Sequence, residues 1–418
     1  MRKVFAVLVA LVLASGMVFA SGSGEAEGAS ITLMQNKPEI DAMLQEYGQA
    51  WSEETGIDVT IKSVGGSSGA TLGQQLRADY SAGEMPDIFV IAGIEDYREW
   101  ESLILDLSGE DWVDETSVGF TVDGTVYGFP VAIEGWGLAY NADILEEAGV
   151  DPESLVDYES YKAAFEKIDS MKDELGLDSV VSMAASADMG WVTAHHNFNS
   201  LLSNGLPYGD TSVVDELKAG NVDQERLSQY ADWVELLFDY ADQAVLTTGN
   251  YDAQVGAFAT EQAAFLHQGN WVDPNLADAG VDFETGFAPH GSMHEPTEGI
   301  FVSAPSFYVI NSESENIEAA KQFLNDMVFT DAGKEFMVEE AGMIPAFSNV
   351  ELNPSGPLSQ SVQKWNAEGN VYAWNQYQFS TAFRDQTLAP IYNQFATGQI
   401  DKAAFIDRMT EAFENRED

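Results

Sequence analysis

Nine tryptophans, five histidines and no cysteine define the chemistry open to this chain of 418 residues. Lacking cysteine, it has no thiol nucleophile, no disulfide, no thiolate-bound zinc or iron–sulfur cluster, and no N-terminal cysteine to lipidate. No Ser-His-Asp arrangement or nucleophile elbow is expected. His195 and His196 are adjacent and so point different ways, while His290 and His294 share a Gly/Met/Pro loop without a matching acidic cluster. No metal and no cofactor is therefore expected. What remains is a generous supply of flat apolar rings and of carboxylates. Glu134 is the sharpest of the acids, lying between Ile133 and Gly135 in an apolar stretch where burial without partners is costly. An ion pair with one of the few basic residues, or hydrogen bonds from a bound molecule, would each offset that cost.

The chain carries 18 Lys+Arg against 69 Asp+Glu, a net charge of −51. Nucleic-acid binding rests on cationic side chains, so a nucleic-acid partner is excluded by this balance, and an anionic membrane surface is disfavoured for the same reason. A composition of 45% hydrophobic residues supplies ample core.

Residues 1–20 read as a signal peptide: Arg2 and Lys3, an apolar run from Val4 to Met17, and cleavage near Ala20. Residues 21–29, SGSGEAEGA, read as a flexible tether. An exported, periplasmic protein with no lipobox cysteine is expected, and a monomer. Beyond the tether, Ile31–Met34 predicts a strand ending in Gln35-Asn36, and Ile40, Met43, Leu44, Tyr47 and Trp51 predict a helix. Alternating Ile57, Val59 and Ile61 give a second strand, Leu72, Leu76 and Tyr80 a second helix, and Ile88–Ile91 a buried third strand. Strand and helix alternating in this way predict a doubly wound α/β start. Further on, Val126–Ile133 and Phe301–Ile310 read as strands, while Leu227–Phe238, Ile317–Met327 and Phe405–Phe413 behind Asp401 read as helices. Trp51, Trp100 and Trp233 sit in helical patterns and are assigned to packing.

Several segments, in order, carry a resemblance over nearly the whole mature length. They are Gln35–Ile40, Glu54–Val59, Ser81–Ile88, Gly128-Phe129-Pro130 through Ala139-Tyr140-Asn141, Gln268–Trp271, Ala319–Leu324 and Gly342–Pro345. The chain resembles the extracellular solute-binding proteins of ABC-type sugar importers, the maltose-binding-protein-like family. The resemblance implies a periplasmic-binding-protein-like α/β fold, with two lobes around a hinge and a ligand cleft between them. Crossings near Ile133–Gly137, Ile300–Ser303 and Gly342–Pro345 would divide residues 30–134 plus 304–343, the N-terminal lobe, from 138–300 plus 346–418, the C-terminal lobe. It further implies capture of a carbohydrate by hinge closure and delivery to a membrane permease of an ABC transporter.

Sugar recognition needs aromatic faces for the ring's carbon side and planar polar groups for its hydroxyls. The resemblance places a stacking aromatic at Trp271 and a sugar-binding carboxylate at Glu134, and Asn270 joins the set beside Trp271. Trp136 between two glycines, Trp191 in Met189-Gly190-Trp191 and Trp374 in Tyr372-Ala373-Trp374 are further candidate platforms, with His196 as a pocket-lining residue. Gln35, Asn36, Lys37 and Glu39 lie at the carboxyl end of the first strand, where open α/β sheets bind ligands. Asn36 could equally cap the following helix. Gly65–Gly69 lacks the Gly-Lys-Ser/Thr of a phosphate loop and reads as a cleft loop with Ser67 donating. Gly93 would let a ligand approach the backbone, and Arg384 could meet a hydroxyl or a neighbouring carboxylate. Two other readings stay open: the same fold holding a polyol or polyamine, and a secreted glycoside hydrolase.

Overall fold

The computed structural model describes residues 28–65 and 71–416. The signal peptide, most of the tether and Ser67 lie outside the described residues. Two six-stranded sheets organise the rest. The first contains β1 (Ser30–Gln35), β2 (Asp58–Ser63), β3 (Ile88–Ile91), β4 (Phe120–Val122) and β5 (Thr125–Pro130), joined by one late strand. The second contains β6 (Glu134–Asn141), β7 (Ser179–Ser182), β8 (Ala263–Gly269), β9 (Thr285–Ala288) and β10 (Ile300–Ser303). The late strand β11 (Phe307–Ile310) returns to the first sheet, and β12 (Val371–Tyr372) closes the second.

Strand order in the first sheet is β2-β1-β3-β11-β5-β4, with β2, β1 and β3 parallel and the others antiparallel. This is the doubly wound start that the alternating pattern predicts. The helix 41–55 buries Leu44, Tyr47 and Trp51 against one face, where the Trp51 ring meets Phe323 edge-on and its Nε1 donates to Asp326. Helices 72–82 and 94–100 cover the other face with Leu76 and Trp100. In the second sheet the order is β12-β10-β6-β8-β7, with β9 also beside β6. Its core holds Tyr161, Phe165, Trp233, Leu237, Phe265 and Phe405, the last from the helix that Asp401 caps.

The stretch Phe301–Ile310 is not one strand. Pro305 has no N–H to continue a ladder, and the chain leaves one sheet for the other there. The chain crosses from first sheet to second between Pro130 and Glu134, and returns between Ser303 and Phe307. It leaves the first core again after Leu352, so Phe347, Val350 and Leu352 pack with that core, although the resemblance assigns 346–418 to the other lobe. The first two crossings lie side by side, Ser303 pairing with Glu134, and the stretch leading to the third runs beside them, the Ile133 N–H donating to the Ile344 carbonyl at 2.9 Å.

Candidate functional site

The first wall of the site grows from the end of β1. The Gln35 side chain folds the chain back on itself, its Nε2 donating to the Lys37 carbonyl at 2.8 Å while its Oε1 accepts from the Lys37 N–H at 2.6 Å. Pro38 then starts a short turn, and Lys37 points inward. Its ammonium forms an ion pair with Glu134, at the start of β6, and a second with Glu39 at 3.6 Å. Both Lys37 and Glu134 are buried. Burial acts to lower the Lys37 pKa, but the fields of Glu134 and Glu39 outweigh it and hold the value above 10.5. Burial pushes the Glu39 carboxyl up, because Lys37 only partly compensates for lost water. The lone-acid problem at Glu134 is thus answered by an ion pair that joins the first sheet to the hinge strand. Asn36 is exposed beside this triad and caps no helix.

The second wall is aromatic and comes from four separate segments. β8 ends at Gly269, and the Trp271 ring folds back so tightly over it that a Cβ there would lie 2.0 Å from the indole. The indole Nε1 donates to Gln268 at 2.9 Å. His196, on a helical stretch of residues 192–197, sits among Trp191, Trp271 and Trp374 with ring centroids 5.3, 4.9 and 5.3 Å away. Burial pushes its pKa well below the ordinary histidine value, so this imidazole is neutral. Trp191 and Trp271 remain half-buried. Tyr251 and Tyr377 extend the wall beside Trp191 and Trp374. Sequence reasoning missed both tyrosines, although Tyr377 stands one short turn from Trp374.

Other candidates fall elsewhere. Trp136 pairs with Phe301 across β6 and β10, a register that puts both rings on one face, where they stack at 4.3 Å and 3°. Enclosed also by His196, His267 and His290, Trp136 offers no free face and is a core residue. Asn270 spends its amide within the fold, accepting from the Gly135 N–H at 2.9 Å and donating to Ser359 at 3.1 Å. Among the described residues Arg384 forms no ion pair; its Nε donates to the Phe379 carbonyl and its Nη2 to the Thr381 hydroxyl. Gly93 faces the Tyr377 side chain.

Lys37, Glu39, Glu134, Asn270, Trp271 and Gly342 line a cavity of about 20 Å³ between the two walls, room for about one water. A sugar ring is far larger, so the walls must part to admit one. A groove of about 710 Å³ beside the crossings, lined by residues such as Asp114, Tyr208 and Pro345, has no tryptophan among its described lining residues. Gly65–Gly69 does carry Gly-x-Ser-x-Gly spacing, contrary to the sequence-based expectation. Every histidine, however, belongs to the second sheet's side: His195 pairs with Asp385, His294 with Asp232, and the other three are buried beside Trp136. Among the described residues no group of acidic or histidine side chains could hold a metal ion, and no helix is long and apolar enough to cross a membrane.

The arrangement, two sheets linked by adjacent crossings with aromatic and charged walls facing each other, is that of a protein that grips a small molecule. The chain belongs to the family of bacterial extracellular solute-binding proteins, whose sequence model matches residues 42–369. That membership places it among binding proteins and not among enzymes, so the hydrolase reading falls. It is 25% identical to a maltooligosaccharide ABC transporter solute-binding lipoprotein of Streptococcus pneumoniae, over 82% of this chain and 80% of that one. It is 24% identical to the maltodextrin-binding protein MdxE of Bacillus subtilis, over 83% and 81% of the two chains. A sugar transporter from Bacillus licheniformis, solved in complex with stachyose, superposes with a TM-score of 0.74 at 18% identity, covering 92% of this chain and 98% of that one. The solute-binding protein RafE, solved with raffinose, gives 0.74 at 17% identity, covering 92% and 99%. The fold is therefore the periplasmic-binding-protein-like fold that the resemblance implies.

Proposed function

We propose that this exported protein captures a sugar or oligosaccharide between its two lobes and delivers it to the membrane permease of an ABC transporter. The observation that carries the reading is the pairing of walls: half-buried Trp191 and Trp271 beside Trp374 on one side, and the Lys37–Glu39–Glu134 group on the other. Indole faces suit the carbon side of a pyranose, and ionised groups make strong hydrogen bonds to hydroxyls. A polyamine would call for clustered, unpaired carboxylates, whereas Glu39 and Glu134 already share Lys37. The two relatives described above are named for maltooligosaccharide and maltodextrin, and two solved neighbours hold stachyose and raffinose, all of them oligosaccharides.

The lobes would be residues 30–134 plus 304–352 and residues 138–300 plus 353–418, rocking about the three crossings. Ligand then favours the closed form only by as much as it binds that form better. The protein works as a monomer, released from its signal peptide near Ala20.

The test is calorimetric titration and thermal shift against maltotriose, maltoheptaose, raffinose, stachyose, chitotriose and spermidine. At least one saccharide should bind and raise the melting temperature as mass action requires. Binding of spermidine alone, or of none of the saccharides, would overturn the assignment.

A further inference from the structure

We propose that Gly93 and Asp96 on one lobe, with Tyr377 and Thr381 on the other, form a latch that sets how readily the cleft closes. The inference rests on the hinged reading above but not on the identity of the sugar.

Gly93 follows β3 and precedes helix 94–100, with φ 169°, an extended backbone that any residue adopts. Glycine is therefore not needed there for its conformational freedom. It is needed for space: a Cβ would stand 2.8 Å from the Cβ of Tyr377 and 3.5 Å from its carbonyl oxygen, positions that cannot swing aside. The first lobe's backbone thus rests directly on the second lobe's aromatic wall.

Three residues on, Asp96 accepts from the Ala92 N–H at 2.9 Å and from the Thr381 hydroxyl at 3.1 Å. The Thr381 oxygen in turn accepts from Arg384 Nη2 at 3.0 Å. Donors run one way along this chain, from guanidinium through hydroxyl to carboxylate, so each bond polarises the next. Arg384 is 2% exposed, and its guanidinium also lies 5.2 Å over the Tyr377 ring. It acts as a strut beneath both latch residues, a role that its place in the sequence does not reveal.

The second-lobe side is itself held down. The Gln376 N–H donates to Asn199 at 3.0 Å, and the Asn375 amide donates to the Asp210 carbonyl at 2.9 Å. Neither latch contact involves a crossing strand, so both must part when the lobes separate. Their strength therefore adds to whatever the ligand supplies, and apparent affinity scales with the fraction of chains able to close.

The chain has no native cysteine, so a spin-label pair can be introduced cleanly at the exposed positions Glu53 and Glu411. Electron–electron distance measurements would be made without sugar on the unaltered background, on Gly93→Ala and on Thr381→Val. Both variants should move the distribution to longer distances, Thr381→Val by about tenfold in the open-to-closed ratio, the scale of one hydrogen bond to a charged group. Affinity for every saccharide that binds should fall by a common factor, with cooperative unfolding retained. Variants indistinguishable from the background while sugar still shortens the distance would overturn the latch, as would a background already at the longer distance. A distance unmoved by variants and sugars alike would overturn the hinge and the latch with it. Opening by the variants, with no saccharide bound by any form, supports the latch while rejecting the sugar reading.

Discussion

Replacing Glu134 by glutamine tests whether the buried ion pair or the aromatic wall holds the site together. The change keeps shape and one acceptor oxygen but removes the charge that Lys37 faces. Stripping a buried charge of its only partner costs about 3–5 kcal/mol. Here Glu39 remains at 3.6 Å, so the expected loss is that of one charge-assisted bond, about 1.5–3 kcal/mol. At roughly 2–4 °C per kcal/mol for a unit of 150–250 residues, the melting temperature should fall by about 3–12 °C. Scanning calorimetry without ligand reads this directly. Glu39→Gln is the matched control: burial already disfavours its ionised form, and the Lys37–Glu134 pair survives, so it should be the milder change. The pH dependence gives a further check. Because Lys37 is held above 10.5 in the folded chain, its contribution is complete below that value and is lost as pH rises past it. On the alkaline side, the gap between the unaltered chain and Glu134→Gln should therefore persist past 10.5 and narrow only above it. An unchanged melting temperature for Glu134→Gln, or a larger loss for Glu39→Gln, would refute the account of the triad.

Gly269→Ala should displace the Trp271 indole without straining the backbone, since φ is −117° and the new Cβ would lie 2.0 Å from the ring. Sugar affinity should fall by at least about tenfold, as for Trp271→Ala, and titration showing native affinity in both would remove Trp271 from the site. Acid should weaken the second lobe before carboxylates titrate. Burial pushes His267 down to about 4 from 6.5, so the folded chain resists a proton that the unfolded chain accepts. Stability is full above 6.5 and falls as pH drops towards 4, by an amount on the order of 3 kcal/mol. Chemical denaturation at pH 7, 6 and 5 should show the decline, and a flat profile down to pH 5 would contradict it.

Local patterns carried far in the first lobe. The alternation around Ile57, Val59 and Ile61, the stripe ending at Trp51 and the apolar run Ile88–Ile91 each specify an element through its own period, and three parallel strands followed. The strand that was expected to be continuous from Phe301 to Ile310 broke at Pro305, a signal present in the chain but outweighed by the apolar residues around it. Trp271 and Trp191 stand half-buried beside His196, while Trp136 is fully enclosed. Trp136 and Trp191 adjoin glycine and Trp271 stands two residues after one, so composition alone could not separate them. The separation came from register, which set Trp136 opposite Phe301 and closed both its faces.

Export-type leader, acidity, absence of thiol chemistry and the alternating α/β start were determined by the chain's own order of residues, because each is a property of composition or of a period a few residues long. Which groups meet was decided by the tertiary structure. Lys37 and Glu134 stand 97 positions apart, and Asp96 and Thr381 stand 285 apart. Their partnership depends on how two sheets come together across three crossings, and contacts between such distant residues leave no periodic trace in the sequence.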